Sequence, residues 1–527
     1  MASLRSTSTP PAVVEMVPAT DSLPATDEIQ WLTQPHSKPV PANEEIELKL
    51  DLTHEGADTL ASGRLFAGKS RVSRQTSTYF DTPTHGVRQK GFSLRIRQLG
   101  RTKIETVKAD AGNAAGLFER TEWERKVTSN TPHLDDSTPL TELLGDNAEQ
   151  LTAIFSINVT RRTWQVSQGK ATIEVVLDRG KIIAGERETP VCELELEQKS
   201  GRPSDLFALA RKIAEVVPVR LGVLSKGERG YKLLAPAVIA EKSARVALDP
   251  DINSALAFQR IARACIQQYR QNEQLLLVRH EPEVLHQARV ALRRLTSVFS
   301  IYKAMLSDRQ VTHLRNELRW LSTELGAARD LDVLIGRASP GRVHDMIERA
   351  RRQACADLDT ALASNRARTL MIELAEWISA GDWLQRPNTE TLRNQSAREF
   401  GAEALDRSRK KVMKAGRRFE KIDDDARHQI RKSAKKLRYS AEFFADLYGR
   451  KRQKARYKRF ISALRNFQDQ LGALNDLFTA RRVLGRLGLG DELQFFAALL
   501  GTGQSAALLE TAAGTYKELG EAKRFWR

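Results

Sequence analysis

Alternating charged and apolar residues mark several short segments in the first half of the chain, and they constrain its fold more than any other feature. The first segment, Glu45-Ile46-Glu47-Leu48-Lys49-Leu50, is the clearest example. Successive side chains of a β-strand point to opposite faces, so Glu45, Glu47 and Lys49 are predicted to share one face. Alone, such a segment is typical of an amphipathic strand with one solvated side.

The same alternation recurs on later segments with other charges. The residues that share a face in this way are Arg95 and Arg97, Glu122 and Glu124, and Glu193, Glu195 and Glu197, and Lys108 follows a further strand-like segment. If these strands close into a barrel with their apolar side chains outward, the charged faces line its interior. Charges buried there need partners. A phosphate chain with Mg²⁺ or Mn²⁺ would supply them, because carboxylates bind hard cations and arginine pairs bind phosphate.

The net charge of the chain is divided unevenly between its two halves. Residues 1–240 contain 31 Lys and Arg and 31 acidic residues, whereas residues 241–527 contain 53 and 35, so the whole net charge of +18 belongs to the second half. A basic half is expected to bind an anionic partner, which could be nucleic acid, anionic lipid or polyphosphate. Aromatic residues make up only 6% of the chain and no RNP-like or zinc pattern occurs, so specific recognition of nucleic acid is not expected.

The sequence also bears on location. No apolar stretch approaches the roughly 18 uncharged residues of a membrane span, so no membrane partner is expected. The N-terminal residues lack the basic start and apolar run of a secretory signal. The three cysteines, Cys192, Cys265 and Cys355, are far apart and form no CxxC pair, which favours a reducing compartment. We therefore expect a cytoplasmic protein; its oligomeric state is left open.

Composition and periodicity change along the chain and predict two domains. The predicted organisation is a disordered tail over residues 1–42, a strand-dominated α+β domain over 43–240, a linker over 241–253, and an all-α domain over 254–527 with two repeats at about 254–375 and 420–527. The tail is rich in Ser, Thr, Pro and Ala. The second domain has long stretches of Ala, Leu, Arg, Glu and Gln at helical spacing.

An internal repeat supports the division of the helical domain. The segment from His286 to Leu295 aligns with the segment from His428 to Leu437. Further on, Leu325-Gly326-Ala327 aligns with Leu471-Gly472-Ala473. Because these matches occur in the same order, we interpret the domain as a duplicated helical unit.

Each repeat carries basic residues on one face of a helix. His286, Arg289 and Arg293 have the spacing of a single helical face, and like charges stacked in this way weaken an isolated helix unless an anion neutralises them. The alternative is a solvated charged face, which two equivalent copies make less attractive. The candidate anion-binding residues are His286, Arg289, Arg293, Arg294, Arg319, His428, Arg431, Lys432, Lys435, Lys436, Arg438 and Arg465.

Several motifs of the first half occur in a distinctive order. They are Glu45-x-Glu47-x-Lys49, Tyr79-Phe80-Asp81-Thr82-Pro83, Leu94-Arg95-Ile96-Arg97, Thr106-Val107-Lys108, Leu177-Asp178-x-Gly180, Glu193-x-Glu195-x-Glu197 and Ser225-Lys226. With these motifs, about residues 44–240 resemble the CYTH, or triphosphate tunnel metalloenzyme, superfamily. The resemblance implies an eight-stranded antiparallel β-tunnel that hydrolyses a triphosphate with the help of a metal ion.

The resemblance also implies roles for individual residues. It implies metal binding by Glu45, Glu47, Glu193 and Glu195, with Glu45, Glu47 and Lys49 at the catalytic centre. It implies phosphate binding by Lys49, Arg95, Arg97, Lys108, Lys226 and one of Arg161 and Arg162, of which we favour Arg161. Glu122, Glu124 and Asp178 would complete the tunnel as partners of ions or water. The reaction would be in-line attack of a metal-oriented water on a terminal phosphorus.

The second half resembles a different family. The His-x-x-Arg helices, together with the segment from Leu325 to Asp332, resemble the CHAD domain, a conserved-histidine α-helical domain often fused to CYTH. The match spans about residues 254–527. It implies a pair of four-helix bundles with a basic surface that binds polyphosphate.

Together these features predict an inorganic triphosphatase that uses Mg²⁺ or Mn²⁺ and has inorganic triphosphate and polyphosphate as partners. An association with polyphosphate granules in the cytoplasm is a further expectation. Two alternatives stay open. The tunnel could act on thiamine triphosphate or on nucleoside triphosphates, including cyclisation of ATP as an adenylate cyclase. The protein could also bind polyphosphate without catalysing any reaction.

Overall fold

The alternating segments of the first half are β-strands, as the sequence predicted. The computed structural model describes residues 43–63, 65–66, 68–109, 115–338, 341–488 and 505–527. Its strands are β1 (Asn43–Leu52), β2 (Arg71–Asp81), β3 (Phe92–Leu99), β4 (Thr102–Ala109), β5 (Leu117–Val127), β6 (Thr152–Gln168), β7 (Ala171–Ala184), β8 (Arg187–Ser200) and β9 (Val219–Leu221). The predicted disordered tail, residues 1–42, lies outside the described residues.

Strands β1 to β8 close into an antiparallel barrel. Their order around the barrel is β5-β4-β3-β2-β6-β7-β8-β1, and β1 also pairs with β5 to complete the circle. Within the barrel, strand β1 pairs with two strands: its Lys49 lies opposite Glu195 of β8, and its Glu45 lies opposite Arg120 of β5. The short strand β9 also pairs with the end of β1. Closure leaves the barrel without a free edge. The predicted eight-stranded tunnel is confirmed.

The apolar residues of the alternating strands face away from the barrel interior. Leu48 and Leu50 of β1 are fully buried, with 0% of their surface exposed, in a core that also contains apolar residues of the flanking helices. Because the outward face is apolar and covered, the charged residues between these leucines point inward. The helices of this half are α1 (His54–Ser62), α2 (Gly86–Gln89), α3 (Leu140–Leu144), α4 (Pro203–Val216) and α5 (Lys226–Leu234).

Apolar side chains and helix α5 fill one end of the barrel. Phe155 and Ile157 of β6 form a buried cluster with Tyr231 of α5. Gly230 permits the close approach, because a Cβ at this position would stand 2.2 Å from the Phe155 ring. The Tyr231 hydroxyl donates a hydrogen bond of 2.6 Å to the buried carboxylate of Asp81, which anchors the helix. Helix α5 therefore closes this end of the tunnel.

The second half is helical and its two repeats meet through the histidine-bearing helices. The helices are α6 (Ser254–Leu276), α7 (Pro282–Ile301), α8 (Gln310–Ile335), α9 (Arg342–Ala363), α10 (Asn365–Ala380), α11 (Glu390–Asn394), α12 (Ala397–Ala415), α13 (Asp424–Phe443), α14 (Lys451–Arg486) and α15 (Ser505–Glu521). Helices α6 to α9 pack in succession, as do α12 to α15, and α7 contacts α13. Among the described helices, none is long and apolar enough to span a membrane.

The helical half contacts the barrel half through α10, which packs against α4 and β9, and through α6, which reaches the end of β1. The Arg270 guanidinium lies 3.6 Å from the carboxylate of Asp51, and its Nε donates to the Leu221 carbonyl at 2.9 Å. Arg220 in turn lies 3.0 Å from the buried Glu273. Buried charges are costly unless they are paired, so this network fixes the position of the barrel on α6. The two halves accordingly belong to one compact unit.

Replacing Tyr231 with phenylalanine tests the bond that anchors α5. The variant leaves the buried Asp81 without one of its donors, which typically costs about 1–3 kcal/mol. We expect Tyr231→Phe to lower the midpoint of urea unfolding. Tyr302→Phe is the matched control, because the buried Tyr302 hydroxyl has no hydrogen-bond partner among the described atoms. Equal losses in the two variants would contradict the anchoring role.

Candidate functional site

The inward-facing charged residues line a cavity of about 230 Å³ inside the barrel. Its charged lining consists of Glu45, Glu47, Lys49, Arg95, Arg97, Lys108, Arg120, Glu122, Glu124, Arg161, Glu174, Glu195, Glu197, Lys199 and Lys226. Asp178 and Glu193 are buried beside the cavity and lie 2.9 Å and 2.5 Å from Lys226 Nζ. The structure thus brings all the predicted tunnel residues together; their roles stay predictions.

Arg120 of β5 binds both Glu45 and Glu47 of β1. Its Nε lies 2.9 Å from Glu45 Oε2, and its guanidinium also binds Glu47. Lys108 Nζ contacts Glu45 as well, at 2.7 Å. Burial favours the neutral acid, but Lys108 and Arg120 outweigh it and hold the pKa of Glu45 at about 2. Glu45 is therefore ionised at neutral pH.

Lys49 lies among three carboxylates of β1 and β8. Its ammonium group binds Glu195 and stands 3.3 Å from Glu47 and 3.9 Å from Glu193. Burial favours the uncharged amine, yet the surrounding carboxylates raise the pKa of Lys49. Lys49 is therefore held in its cationic form by the acidic residues of its own site.

Lys226, at the start of the helix that closes the barrel, has an equivalent environment. Its ammonium nitrogen lies 2.9 Å from Asp178, 2.5 Å from Glu193 and 2.8 Å from Glu195. Arg161 reaches the same group and lies 2.6 Å from Asp178 and 3.1 Å from Glu195. Burial opposes ionisation of Lys226, but the three carboxylates raise its pKa well above the ordinary value. This part of the cavity is an acidic wall neutralised by three cations of the protein.

The wall formed by β3, β4 and β5 carries the remaining cations. Arg97 lies 2.6 Å from Glu124, Lys108 lies 3.1 Å from Glu122, and Arg95 lies 3.9 Å from Glu122. Arg95, followed by burial, lowers the pKa of Arg97, which shows that the two guanidinium groups repel each other. Arg95 Nε is buried without a hydrogen-bond partner among the described atoms. This donor is therefore available to an anion.

The carboxylates of the tunnel have the chemistry of a site for a hard metal ion. No group of three or more His, Cys, Asp or Glu side chains in the described part of the chain is arranged to hold a metal. The ammonium groups of Lys49 and Lys226 lie among the carboxylates instead, and each contacts three of them. Oxygen ligands without Cys or His are those that Mg²⁺ and Mn²⁺ prefer. The donor set fits such an ion if a lysine moves aside.

A second concentration of charge lies in the helical half, where α7, α8 and α13 meet. We call it the basic cluster, and it comprises His286, Arg289, Arg293, Arg329, Arg431, Lys435 and Arg438. Acidic residues lie at its edge: Glu442 is 3.5 Å from Arg438, and Asp330 is 3.8 Å from Arg289. Burial and the neighbouring arginines lower the pKa of Lys435 to about 6. Burial, Arg329 and Arg293 lower the pKa of His286 to about 4, although Glu283 opposes them. Strongly shifted pKa values of this kind cluster at functional sites, so the basic cluster is a candidate site.

Most of the other predicted residues of the helical half lie outside this cluster. Arg294 is buried, lies 2.7 Å from Glu442 and stacks 4.7 Å from the centre of the Phe443 ring, so the structure places it in the core rather than at an anion site. Lys436 donates to the Ser300 hydroxyl at 2.6 Å. Arg319, Lys432 and Arg465 are exposed, and His428 is half-buried on α13.

Comparison with protein families divides the chain as its fold does. Residues 43–231 match the CYTH domain and residues 260–485 match the CHAD domain. The chain is therefore a CYTH–CHAD protein, in which a triphosphate-tunnel barrel precedes a conserved-histidine helical domain.

Three similar proteins show how far the likeness extends. An inorganic triphosphatase of Haemophilus influenzae is 35% identical over 161 residues, which are 30% of this chain and 45% of that protein. The chain thus spans less than half the length of that relative. An uncharacterized protein of Mycobacterium tuberculosis is 26% identical over 464 residues, which cover 77% of this chain and 84% of that protein. The match to a crystal structure of the CHAD domain from the plant Ricinus communis covers 54% of this chain and 97% of that domain's chain, with 28% identity and a TM-score of 0.46.

The sequence analysis gave no role to several charged residues of the two sites. Arg120 and Lys199 line the cavity, and Arg229 lies 3.1 Å from Glu193. Arg120 alternates with Glu122, so the period of the strand already placed it on the inner face. Arg329 belongs to the basic cluster through α8, and no periodicity within α7 or α13 could reveal it.

The pKa of Glu45 tests whether Arg120 sets the charge of the site. In Arg120→Ala, Glu45 keeps its burial but loses one of its two cations, so its pKa should rise above the value of about 2. The measurement is a pH titration of the glutamate side-chain carbons by NMR. Arg125→Ala is the control on the same strand, because Arg125 pairs with Glu105 and is not part of the cavity lining. An unchanged titration in Arg120→Ala would contradict the assignment.

Proposed function

We propose that this protein hydrolyses inorganic triphosphate in its tunnel and that its helical domain binds polyphosphate. The proposal of triphosphate hydrolysis rests on one observation: an acidic wall and a basic wall line the same cavity. One wall holds carboxylates around Lys49 and Lys226, and the other carries Arg95 and Arg97. A triphosphate with a divalent cation complements both walls. The similarity of the barrel to part of an inorganic triphosphatase supports the proposal.

The arginine wall would bind the phosphoryl groups. Guanidinium groups bind phosphate oxygens bidentately, and the buried Arg95 Nε offers a donor that nothing else in the described structure uses. Lys108 contributes a further positive charge between the walls. Glu122 and Glu124 contact Lys108 and Arg97 at 3.1 Å and 2.6 Å and would keep these cations in position. Binding and orientation in this way account for much of the catalysis of phosphoryl transfer.

The acidic wall would hold the metal. Glu45, Glu47, Glu193 and Glu195 are the residues that would bind Mg²⁺ or Mn²⁺, which neutralises phosphate charge and lowers the pKa of a bound water. In exchange, Lys49 would turn from the carboxylates towards the phosphate oxygens and stabilise the charge that develops on them. Water would attack the terminal phosphorus in line with the leaving phosphate, and no covalent intermediate is required.

The lining of the cavity favours an inorganic substrate. Tyr79 is the one aromatic residue among the lining residues that the structure describes, and its ring already stacks on Phe155 with 4.6 Å between centroids. Nucleotide bases and thiamine gain affinity by stacking on exposed aromatic rings. A cavity lined almost wholly by charged groups offers them no such surface. We therefore favour tripolyphosphate over ATP or thiamine triphosphate.

The basic cluster would bind polyphosphate. Arg289, Arg293, Arg431 and Lys435 come from two helices that contact each other, so four basic side chains lie close together; burial and the arginines lower the pKa of Lys435 to about 6. A phosphate chain carries regularly spaced charges and can contact both helices at once. The helical domain would then keep the enzyme close to its phosphate-rich substrates.

We place this activity in the cytoplasm, in association with polyphosphate granules. The three cysteines are all free, which suits a reducing compartment. Cell fractionation, with each fraction stained for polyphosphate and probed for the protein, would test this location.

A substrate panel tests the proposed reaction. We expect purified protein with Mg²⁺ or Mn²⁺ to release phosphate from tripolyphosphate faster than from ATP or thiamine triphosphate, and EDTA to abolish the release. Arg95→Ala/Arg97→Ala should lower kcat/KM for tripolyphosphate by at least about 10²-fold, because each donor to a charged transition state is typically worth that much. The measurement is phosphate release at a series of substrate concentrations.

Arg125→Ala is again the control and should keep its activity. Faster hydrolysis of ATP or thiamine triphosphate than of tripolyphosphate would show that inorganic triphosphate is not the preferred substrate. The absence of hydrolysis with every substrate, together with retained polyphosphate binding, would show that the protein is a non-catalytic binding protein.

Removal of the basic cluster tests the role of the helical domain. Arg289→Ala/Arg293→Ala/Arg431→Ala/Lys435→Ala should weaken binding of long-chain polyphosphate by more than about tenfold, since several charge-assisted contacts are lost. Wild-type affinity should rise as the pH falls from about 8 towards the pKa of Lys435, about 6, because the bound anion favours the protonated amine. Calorimetric titration at constant ionic strength measures both effects.

The control removes four exposed charges from elsewhere in the same domain. Arg309, Arg342, Arg349 and Arg352 are all exposed, so their replacement by alanine changes the net charge equally and leaves the basic cluster intact. Equal weakening in the two variants would indicate general electrostatic attraction rather than a site.

A further inference from the structure

A small basic pocket lies on the helical domain between α7, α12 and α13. Its volume is about 200 Å³. Three cationic residues line it, Arg407, Lys411 and Lys436, together with the hydroxyl groups of Ser300, Ser408 and Ser433. The Ser433 hydroxyl donates to the Gln429 carbonyl at 3.0 Å, which leaves those of Ser300 and Ser408 as donors beside the three cations. No acidic residue is among the described residues that line the pocket.

The internal repeat shows why this pocket is unusual. The alignment that pairs His286 with His428 also pairs Arg294 with Lys436, and it pairs Ser300 with Glu442. In one copy of this contact, Arg294 lies 2.7 Å from the Glu442 carboxylate and is buried. In the other copy, Lys436 donates to the Ser300 hydroxyl at 2.6 Å. The same contact is thus neutralised by a carboxylate in one repeat and left positively charged in the other.

The surroundings of Lys436 do not replace the missing carboxylate. The pKa of Lys436 is lowered to about 8, mainly by burial and then by the positive charges of Lys411, Arg407 and Arg315. Arg407 has one acidic partner, Glu403 at 3.2 Å, and both side chains are largely exposed. Such an exposed pair contributes little neutralisation. The pocket therefore keeps an excess of positive charge.

The pocket is separate from the basic cluster. Lys435, in the cluster, and Lys436, in the pocket, are consecutive on α13 and so point about 100° apart around the helix. Residues of α12 also line the pocket, whereas the basic cluster contains no residue of α12. Loss of one site can therefore be measured while the other is intact.

We propose that this pocket binds a phosphoryl anion, with Lys411 and Lys436 supplying charge and the hydroxyl groups of Ser300 and Ser408 donating hydrogen bonds. The anion would take the place that the Glu442 carboxylate has in the other repeat. Two sources share this chemistry: free phosphate or pyrophosphate, and the end of a polyphosphate chain. The proposal deepens the polyphosphate role given above to Lys436, and it does not depend on hydrolysis in the tunnel or on binding by the basic cluster.

Calorimetric titration of the full chain tests the proposal. The tunnel is first weakened by Arg95→Ala/Arg97→Ala, metal is excluded with EDTA, and pyrophosphate and long-chain polyphosphate are titrated separately. Adding Lys411→Ala/Lys436→Ala should weaken the binding of at least one of them by about tenfold or more, as expected for lost charge-assisted bonds. Lys410→Ala is the matched control on α12, because Lys410 is exposed and lies outside the pocket lining.

A second variant reconstructs the neutralised copy. Ser300→Glu places a carboxylate beside Lys436, as Glu442 lies beside Arg294. It should reduce anion binding as strongly as the loss of the two lysines, without lowering the melting temperature. This variant keeps the test decisive if the lysine variant unfolds.

The outcomes separate the possible sources and the two proposals. Weaker pyrophosphate binding identifies a free anion as the ligand, whereas weakening of polyphosphate alone identifies the end of a chain. Unchanged affinity for both anions in the lysine variant and in Ser300→Glu would overturn the pocket proposal, even if the four-residue cluster variant loses polyphosphate. If the cluster variant keeps its affinity and the pocket variants lose theirs, the pocket proposal stands and the cluster proposal fails.

Discussion

The mutual neutralisation of lysines, arginines and carboxylates inside the barrel is the interaction on which the rest of the structure depends. Lys49 and Lys226 each contact three carboxylates, and most of these groups are almost completely buried. Removing such charges from water costs several kcal/mol per ion unless partners replace the solvent. The barrel can enclose a charged interior only because the opposite charges come from adjacent strands. The same partners can be exchanged for a metal ion and phosphate without a change of fold.

Strand alternation predicted most of the tunnel because the inner and outer faces differ sharply in polarity. Glu45, Glu47 and Lys49 share the inner face, while Leu48 and Leu50 are fully buried outside it. The same period places Arg120 on the inner face beside Glu122. Here the sequence held the information, since residues two apart on a strand must point the same way.

Other features could not be predicted, because they depend on contacts between distant segments. On β6 the inner face changes from the charged Arg161 to the apolar Ile157 and Phe155, and alternation alone does not show that a helix packs there. Arg294 has the same chemistry as its neighbour Arg293, yet Arg294 is buried and paired with Glu442. Helical periodicity predicts the direction of a side chain and not the charge that it meets.

The contact between α6 and the end of β1 makes the two domains thermodynamically dependent on each other. Arg270 and Glu273 are buried against Asp51 and Arg220, so unfolding of the helical domain would expose charged groups that the barrel now satisfies. A ligand stabilises whatever must remain folded for it to bind. An anion bound by one domain is therefore expected to raise the melting temperature of the other, although it contacts only one of the two sites. We therefore expect the two domains to unfold together, so that a ligand bound by either one stabilises both.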